Sequence, residues 1–134
     1  MNAHLKWFRR VVWFGIVGNM SFALTALYAP SKLLRLMGLR RIEATVWLRN
    51  VGMLLVLVSL FNAGAAAAPT RYPLYSWLVP IARLIAASFF LRVSLFNPHR
   101  SSERPRAFIP LFLFDFTMGI ICSILLRRGL GRED

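Results

Sequence analysis

Four charged residues lie inside the long apolar stretches of this 134-residue sequence, where charges are uncommon. They are Arg49 near the start of the second stretch, Arg83 near the middle and Arg92 near the end of the third, and Asp115 in the fourth. An ionisable group at membrane depth costs about 3 kcal/mol or more unless it finds a partner. Each of the four is therefore a candidate for an ion pair or for binding a polar ligand.

The order of the stretches predicts which of these charges meet. If consecutive stretches form antiparallel helices, the second begins, the third ends and the fourth begins on one side of the membrane. Asp115 then lies roughly 5 Å deeper than Arg49 or Arg92, at a rise of 1.5 Å per helical residue. A guanidinium on its long stem covers that distance. We predict a structural ion pair between Asp115 and either Arg92 or Arg49.

Arg83 is harder to place, because the same counting puts it roughly 9 Å deeper than Asp115. Three alternatives are open: pairing with Asp115, extension toward Tyr75 and Trp77, or contact with a molecule outside the chain. In the last case Arg83 or Arg49 would bind a quinone, a pigment or a lipid headgroup.

Other residue types that commonly carry chemistry are few. Cys122 is the single cysteine and lies in an apolar stretch, whereas His4 and His99 lie outside the stretches. We predict no metal site, no catalytic residue and no intrinsic cofactor, with bound lipid or quinone as the one ligand class to expect. The chain is predicted not to be an enzyme, although it could serve as a non-catalytic subunit of an oxidoreductase.

The elements that position these residues follow from the hydropathy pattern. Hydrophobic residues make up 57% of the chain, more than a short water-soluble domain can enclose. Four stretches reach the roughly 20 residues that cross a bilayer as a helix, at about 11–29, 45–65, 74–96 and 108–126. The predicted fold is an all-α, integral membrane four-helix transmembrane bundle, with residues 1–134 as a single domain.

A short interfacial helix is predicted after the first span, over the segment 30–41. Leucines there recur at helical spacing with cations between them, which is typical of a helix lying in the headgroup plane. The predicted headgroup contacts are Lys32, Arg35, Arg40 and Arg41. An ordinary basic loop is the alternative.

The net charge of +12 indicates anionic phospholipids as partners, because cations that flank apolar spans lie next to lipid phosphates. No nucleic-acid-binding module is visible. Counting Lys and Arg on the two sides of the four spans gives seven on each. The basic N-terminal flank favours cytoplasmic termini for this multi-pass chain.

The motif Pro30-x₇-Gly38-Leu39, with Arg49 and Gly52 opening the second span and Asp115 in the fourth, resembles the DoxX-like small four-helix bacterial membrane proteins. The resemblance covers nearly the whole chain. It implies the bacterial inner (cytoplasmic) membrane and a place beside a quinone-linked redox complex, because the group's named member is a membrane subunit of a thiosulfate:quinone oxidoreductase. It implies no catalytic residue.

Three functions are consistent with these features. The first is a non-catalytic accessory or structural subunit of a larger bacterial membrane complex for respiratory or photosynthetic electron transport, packed against partner helices and lipids. The second is a quinone-binding membrane anchor subunit of an oxidoreductase. The third is a small transporter, which the scarcity of polar residues along the spans disfavours.

Overall fold

The computed structural model describes residues 1–37, 45–95 and 108–131, and these form five helices without a strand. The helices are α1 (Ala3–Tyr28), α2 (Pro30–Leu36), α3 (Thr45–Ala67), α4 (Pro73–Leu95) and α5 (Phe108–Leu130). The predicted all-α class is confirmed. The predicted bounds of the second, third and fourth spans agree with α3, α4 and the start of α5.

Two helices are longer than their apolar stretches. The helix α1 begins at Ala3, because the Asn2 side chain caps it by accepting a hydrogen bond of 3.1 Å from the Leu5 amide. The helix α5 continues through Arg127 and Arg128 to Leu130. Both extensions contain Lys or Arg residues, which are good helix formers. Hydropathy alone does not count such residues as part of a span, so the predicted spans ended before them.

The helix α2 turns the chain directly after α1. Leu33 and Leu34 are buried against Ala26 of α1 and Leu48 of α3, whereas Lys32 and Arg35 are exposed. A helix in this segment was predicted and is present through Leu36. Arg40 and Arg41 lie outside the described residues, and the position of α2 at a membrane surface stays a prediction.

The helix α1 packs against both α3 and α5, and α4 packs mainly against α5. Small residues allow these close approaches: a Cβ on Gly52 of α3 would lie 3.1 Å from the Ala23 carbonyl oxygen of α1. By contrast, α3 and α4 touch little beyond the turn that joins them. The bundle is therefore open along the side between α3 and α4.

Four of the described helices are long and apolar enough to cross a membrane: Ala3–Tyr28, Leu48–Ala67, Pro73–Leu95 and Phe108–Leu130. Each has large hydrophobic side chains on its outer face, among them Phe14, Phe61, Phe89 and Phe116. An apolar surface of this extent is typical of contact with lipid. The architecture indicates a multi-pass membrane protein.

Candidate functional site: a polar cluster at mid-span

Close packing between α4 and α5 sets the position of the charges. A Cβ on Gly119 of α5 would lie 2.9 Å from Leu84 Cγ and 3.3 Å from Arg83 Cβ. Gly119 thus lies level with Arg83, and Asp115 lies one turn earlier on the same face of α5. The axial offset between the two charges is about 6 Å, which an extended arginine covers.

Arg83 and Asp115 form an ion pair. Arg83 Nη1 donates to Asp115 Oδ1 at 2.5 Å, and the two side chains are only 9% and 13% exposed. A charge-assisted hydrogen bond of this length is among the stronger kinds. Far from water, each charge depends on the other, since a lone charge in a low-dielectric interior is costly.

The helix α1 supplies the third polar group and the space for the guanidinium. Asn19 Oδ1 accepts a second hydrogen bond from Arg83 Nη1, at 3.2 Å. One turn earlier, a Cβ on Gly15 would lie 2.6 Å from Arg83 Nη2. A side chain at this position would displace the guanidinium from its present place. Arg83 therefore links α1, α4 and α5.

Aromatic rings cover the cluster on the α1 and α5 side. The Arg83 guanidinium carbon lies 5.5 Å from the centroid of the Phe114 ring, within the range of a cation–π contact. Phe114 also contacts Phe14 of α1, with the ring centroids 6.2 Å apart. Phe114 thus lies over one face of the guanidinium, and Phe14 packs against Phe114 from α1.

The predicted pairing of Asp115 with Arg92 or Arg49 is wrong. Asp115 pairs with Arg83, and both Arg49 and Arg92 are exposed on the outside of the bundle. The estimate failed because it considered depth alone. Arg92 lies nine residues after Arg83, or two and a half turns of α4, and is therefore on the opposite, exposed face of the helix. Arg49 belongs to α3, which packs mainly against α1 and not against α5.

The cluster combines one guanidinium, one carboxylate and one amide that are bonded to one another. Such an arrangement suits a lock between helices. Among the described residues, no group of three His, Cys, Asp or Glu side chains is placed to hold a metal ion. Binding of a quinone or lipid headgroup by Arg83 or Arg49 stays a prediction. For Arg83 it would require access to a side chain that is buried and already hydrogen-bonded.

Two further features lie at the end of the bundle where α1 begins and α5 ends. One is a surface pocket lined by His4, Arg127, Arg128 and Gly131. It lies beside a hydrogen bond of 2.7 Å from Asn2 Nδ2 to the Gly129 carbonyl oxygen, which ties the two helix ends together. The other is an apolar groove of about 360 Å³ between α3 and α4.

Comparison with known protein families, curated proteins and solved structures finds no match to this chain. The class of multi-pass helical membrane protein therefore follows from the four apolar helices, and the DoxX-like resemblance stays a prediction.

Proposed function

We propose that this protein is a non-catalytic accessory subunit of a larger complex in the bacterial inner membrane, such as one of respiratory or photosynthetic electron transport. It would pack its outer surface against partner helices and lipids. In this proposal both termini lie in the cytoplasm, where basic flanks of membrane spans are retained.

The proposal rests chiefly on the inward pairing of Arg83 with Asp115. Ionisable groups within spans usually mark ion or substrate paths. Here the carboxylate and the guanidinium are bonded to each other and to Asn19, in a cluster that joins three helices. The pair thus holds the bundle together, and the outer surface remains for interactions with other molecules.

The outer surface supports the same function. Phe14 of α1, Phe89 of α4 and Phe116 of α5 are all exposed. Aromatic side chains contribute strongly to protein interfaces because they bury a large area and lose little conformational freedom. One exposed ring on each of three helices gives three positions at which contact with a partner helix can be tested.

Site-specific photo-crosslinking in native membranes tests this function. Phe14, Phe89 or Phe116 is replaced, one at a time, by the photoreactive analogue benzoylphenylalanine, which preserves the aromatic ring at an exposed position. We expect at least one of these positions to form an adduct with one larger membrane protein, identified by mass spectrometry, and at least one other to form lipid adducts alone.

Phe8 provides the matched control, since it is fully buried on α1 and should react only within the chain. Two results would refute the accessory role: lipid adducts alone from all three exposed positions, or the same set of abundant membrane proteins captured equally from every face.

A further inference from the structure

The groove between α3 and α4 has the features of a binding site. It has a volume of about 360 Å³ and is lined by Val58, Phe61, Asn62, Tyr75, Leu78, Val79 and Ala82. Phe61 and Tyr75 approach each other from the two helices, with ring centroids 6.1 Å apart. All of these side chains except Asn62 and the Tyr75 hydroxyl are apolar, so the groove suits a hydrocarbon chain.

Asn62 indicates a ligand with a polar group. Its side chain belongs to a residue only 7% exposed, and no hydrogen bond reaches it from another described residue. In the described part of the chain, every side-chain nitrogen or oxygen that is fully sealed from the surface has a hydrogen-bond partner. Because the Asn62 amide has no such partner, it is not fully sealed, and it opens into the groove that it lines. An amide facing hydrocarbon without a partner is costly. A hydrogen-bond acceptor in the groove would remove that cost.

The depth of Asn62 indicates which acceptor this is. Asn62 lies five residues before the end of α3 at Ala67, or about 7.5 Å along the helix axis. The apolar span Leu48–Ala67 is about as long as the hydrocarbon core is thick, so Asn62 lies in the outer part of the hydrocarbon, in the half nearer the turn between α3 and α4. The glycerol esters, at the boundary between hydrocarbon and headgroups, are the phospholipid acceptors nearest to this depth.

A cation lies at the same end of the groove. Arg71 is exposed in the turn that joins α3 to α4, and its guanidinium carbon lies 5.5 Å from the centre of the Tyr72 ring. The turn is fixed by a hydrogen bond of 3.1 Å from the buried Ser76 hydroxyl to the Pro69 carbonyl oxygen. A positive charge held at headgroup level attracts a lipid phosphate.

We propose that the groove between α3 and α4 binds one anionic diacyl phospholipid. One acyl chain lies along Val58, Leu78 and Ala82, the Asn62 amide donates a hydrogen bond to an ester carbonyl, and Arg71 lies next to the phosphate. The lining on α3 extends only one turn, from Val58 to Asn62. Such a short contact suits a lipid chain better than a second transmembrane helix.

Native mass spectrometry of the purified, delipidated protein tests the proposal with three added lipids: ester-linked phosphatidylglycerol, its ether-linked analogue and ester-linked phosphatidylcholine. The ether lacks the carbonyl acceptors. We expect the ester to bind about 3- to 10-fold more tightly than the ether, which corresponds to one net hydrogen bond. Asn62→Leu should abolish this preference, and Arg71→Gln should abolish the preference for phosphatidylglycerol over phosphatidylcholine.

Two neighbouring residues of α4 supply a test that leaves Asn62 intact. Ala82→Phe fills the groove and should lower phospholipid binding at least tenfold. Ile81→Phe adds the same ring at an exposed position outside the groove and should leave binding unchanged. An ester-to-ether ratio that Asn62→Leu does not alter, equal binding by the two phenylalanine variants, or displacement of the lipid by equimolar ubiquinone would each overturn the proposal.

Discussion

Arg83 is the residue on which the bundle depends most, because it bonds to α1 and α5 from its position in α4. Placing two charges away from water is expensive, and their attraction roughly offsets that expense. Removing one partner is different, since it leaves the other charge buried and alone. The effects of substituting Arg83 and Asp115 on the free energy of unfolding should therefore depend strongly on each other.

The sequence identified both charges of the cluster, and it left their pairing as one of three alternatives for Arg83 without choosing it. Asp115 and Arg83 are conspicuous as ionisable residues in apolar stretches, whereas Asn19 and Gly15 resemble ordinary residues of a span. Gly15 and Asn19 are four residues apart and so lie on one face of α1. This spacing is the feature of the sequence that could have identified them as a pair. The lateral contact that brings them to Arg83 is a tertiary property, which residue counting within single helices does not give.

A double-mutant cycle measures the coupling in this pair. Arg83→Met and Asp115→Leu should each lower the free energy of unfolding in mixed micelles by about 3–5 kcal/mol, because each leaves a buried charge unpaired. The double variant should be no less stable than either single variant. Arg92→Met, at an exposed position on the same helix, should change stability by less than about 0.5 kcal/mol.

Additive losses in the double variant would contradict the role of the pair as a lock. If Arg92→Met alone lowered the free energy of unfolding by several kcal/mol, the result would instead support the pairing of Asp115 with Arg92.

At the scale of helices, close packing of α5 against α4 determines which residues share a level. Gly119 allows Leu84 to approach to a distance that a methyl group would obstruct. Gly64, in contrast, has no neighbouring atom within 4 Å of a Cβ position. The two glycines are equivalent in the sequence, as small residues inside apolar stretches, and only the packing distinguishes them.

This difference predicts opposite effects of the same substitution. Gly119→Ala should lower the free energy of unfolding by about 1–3 kcal/mol, because the added methyl group forces α4 and α5 apart. Gly64→Ala should raise it by about 0.5–1 kcal/mol, since alanine loses less conformational entropy in a helix. Thermal unfolding of both variants in one detergent provides the comparison, and a loss of stability in both would argue against close contact at Gly119.

Helix type and approximate bounds could be predicted because each apolar stretch is about as long as one bilayer crossing. The start of α1 and the end of α5 could not be predicted in this way, because both lie in charged segments beyond the apolar stretches. The start of α1 depends on the Asn2 cap, and the end of α5 includes Arg127 and Arg128.

For the whole molecule, the alternation of spans and breakers predicted four antiparallel helices but not their arrangement. Which helices touch depends on side-chain shape across the bundle. For this reason neither the packing of α1 against both α3 and α5 nor the groove between α3 and α4 could be predicted from the order of the spans. The groove also explains how Asn62, unremarkable in the sequence, becomes a candidate ligand-binding residue.

The central claim is that four helices cross a membrane, so that Lys6 and Arg71 lie on one side and Lys32 on the other. Single cysteines at these three exposed positions, in a Cys122→Ser background, test it by labelling with a membrane-impermeant maleimide. In intact cells and in inverted vesicles we expect Lys6→Cys and Arg71→Cys to react from the same side, the cytoplasmic one in the proposed orientation. Lys32→Cys should react only from the opposite side, and cysteine at the buried Ala23 only after denaturation. Reaction of all three exposed positions from one side, or recovery of the protein in the soluble fraction without detergent, would contradict the account.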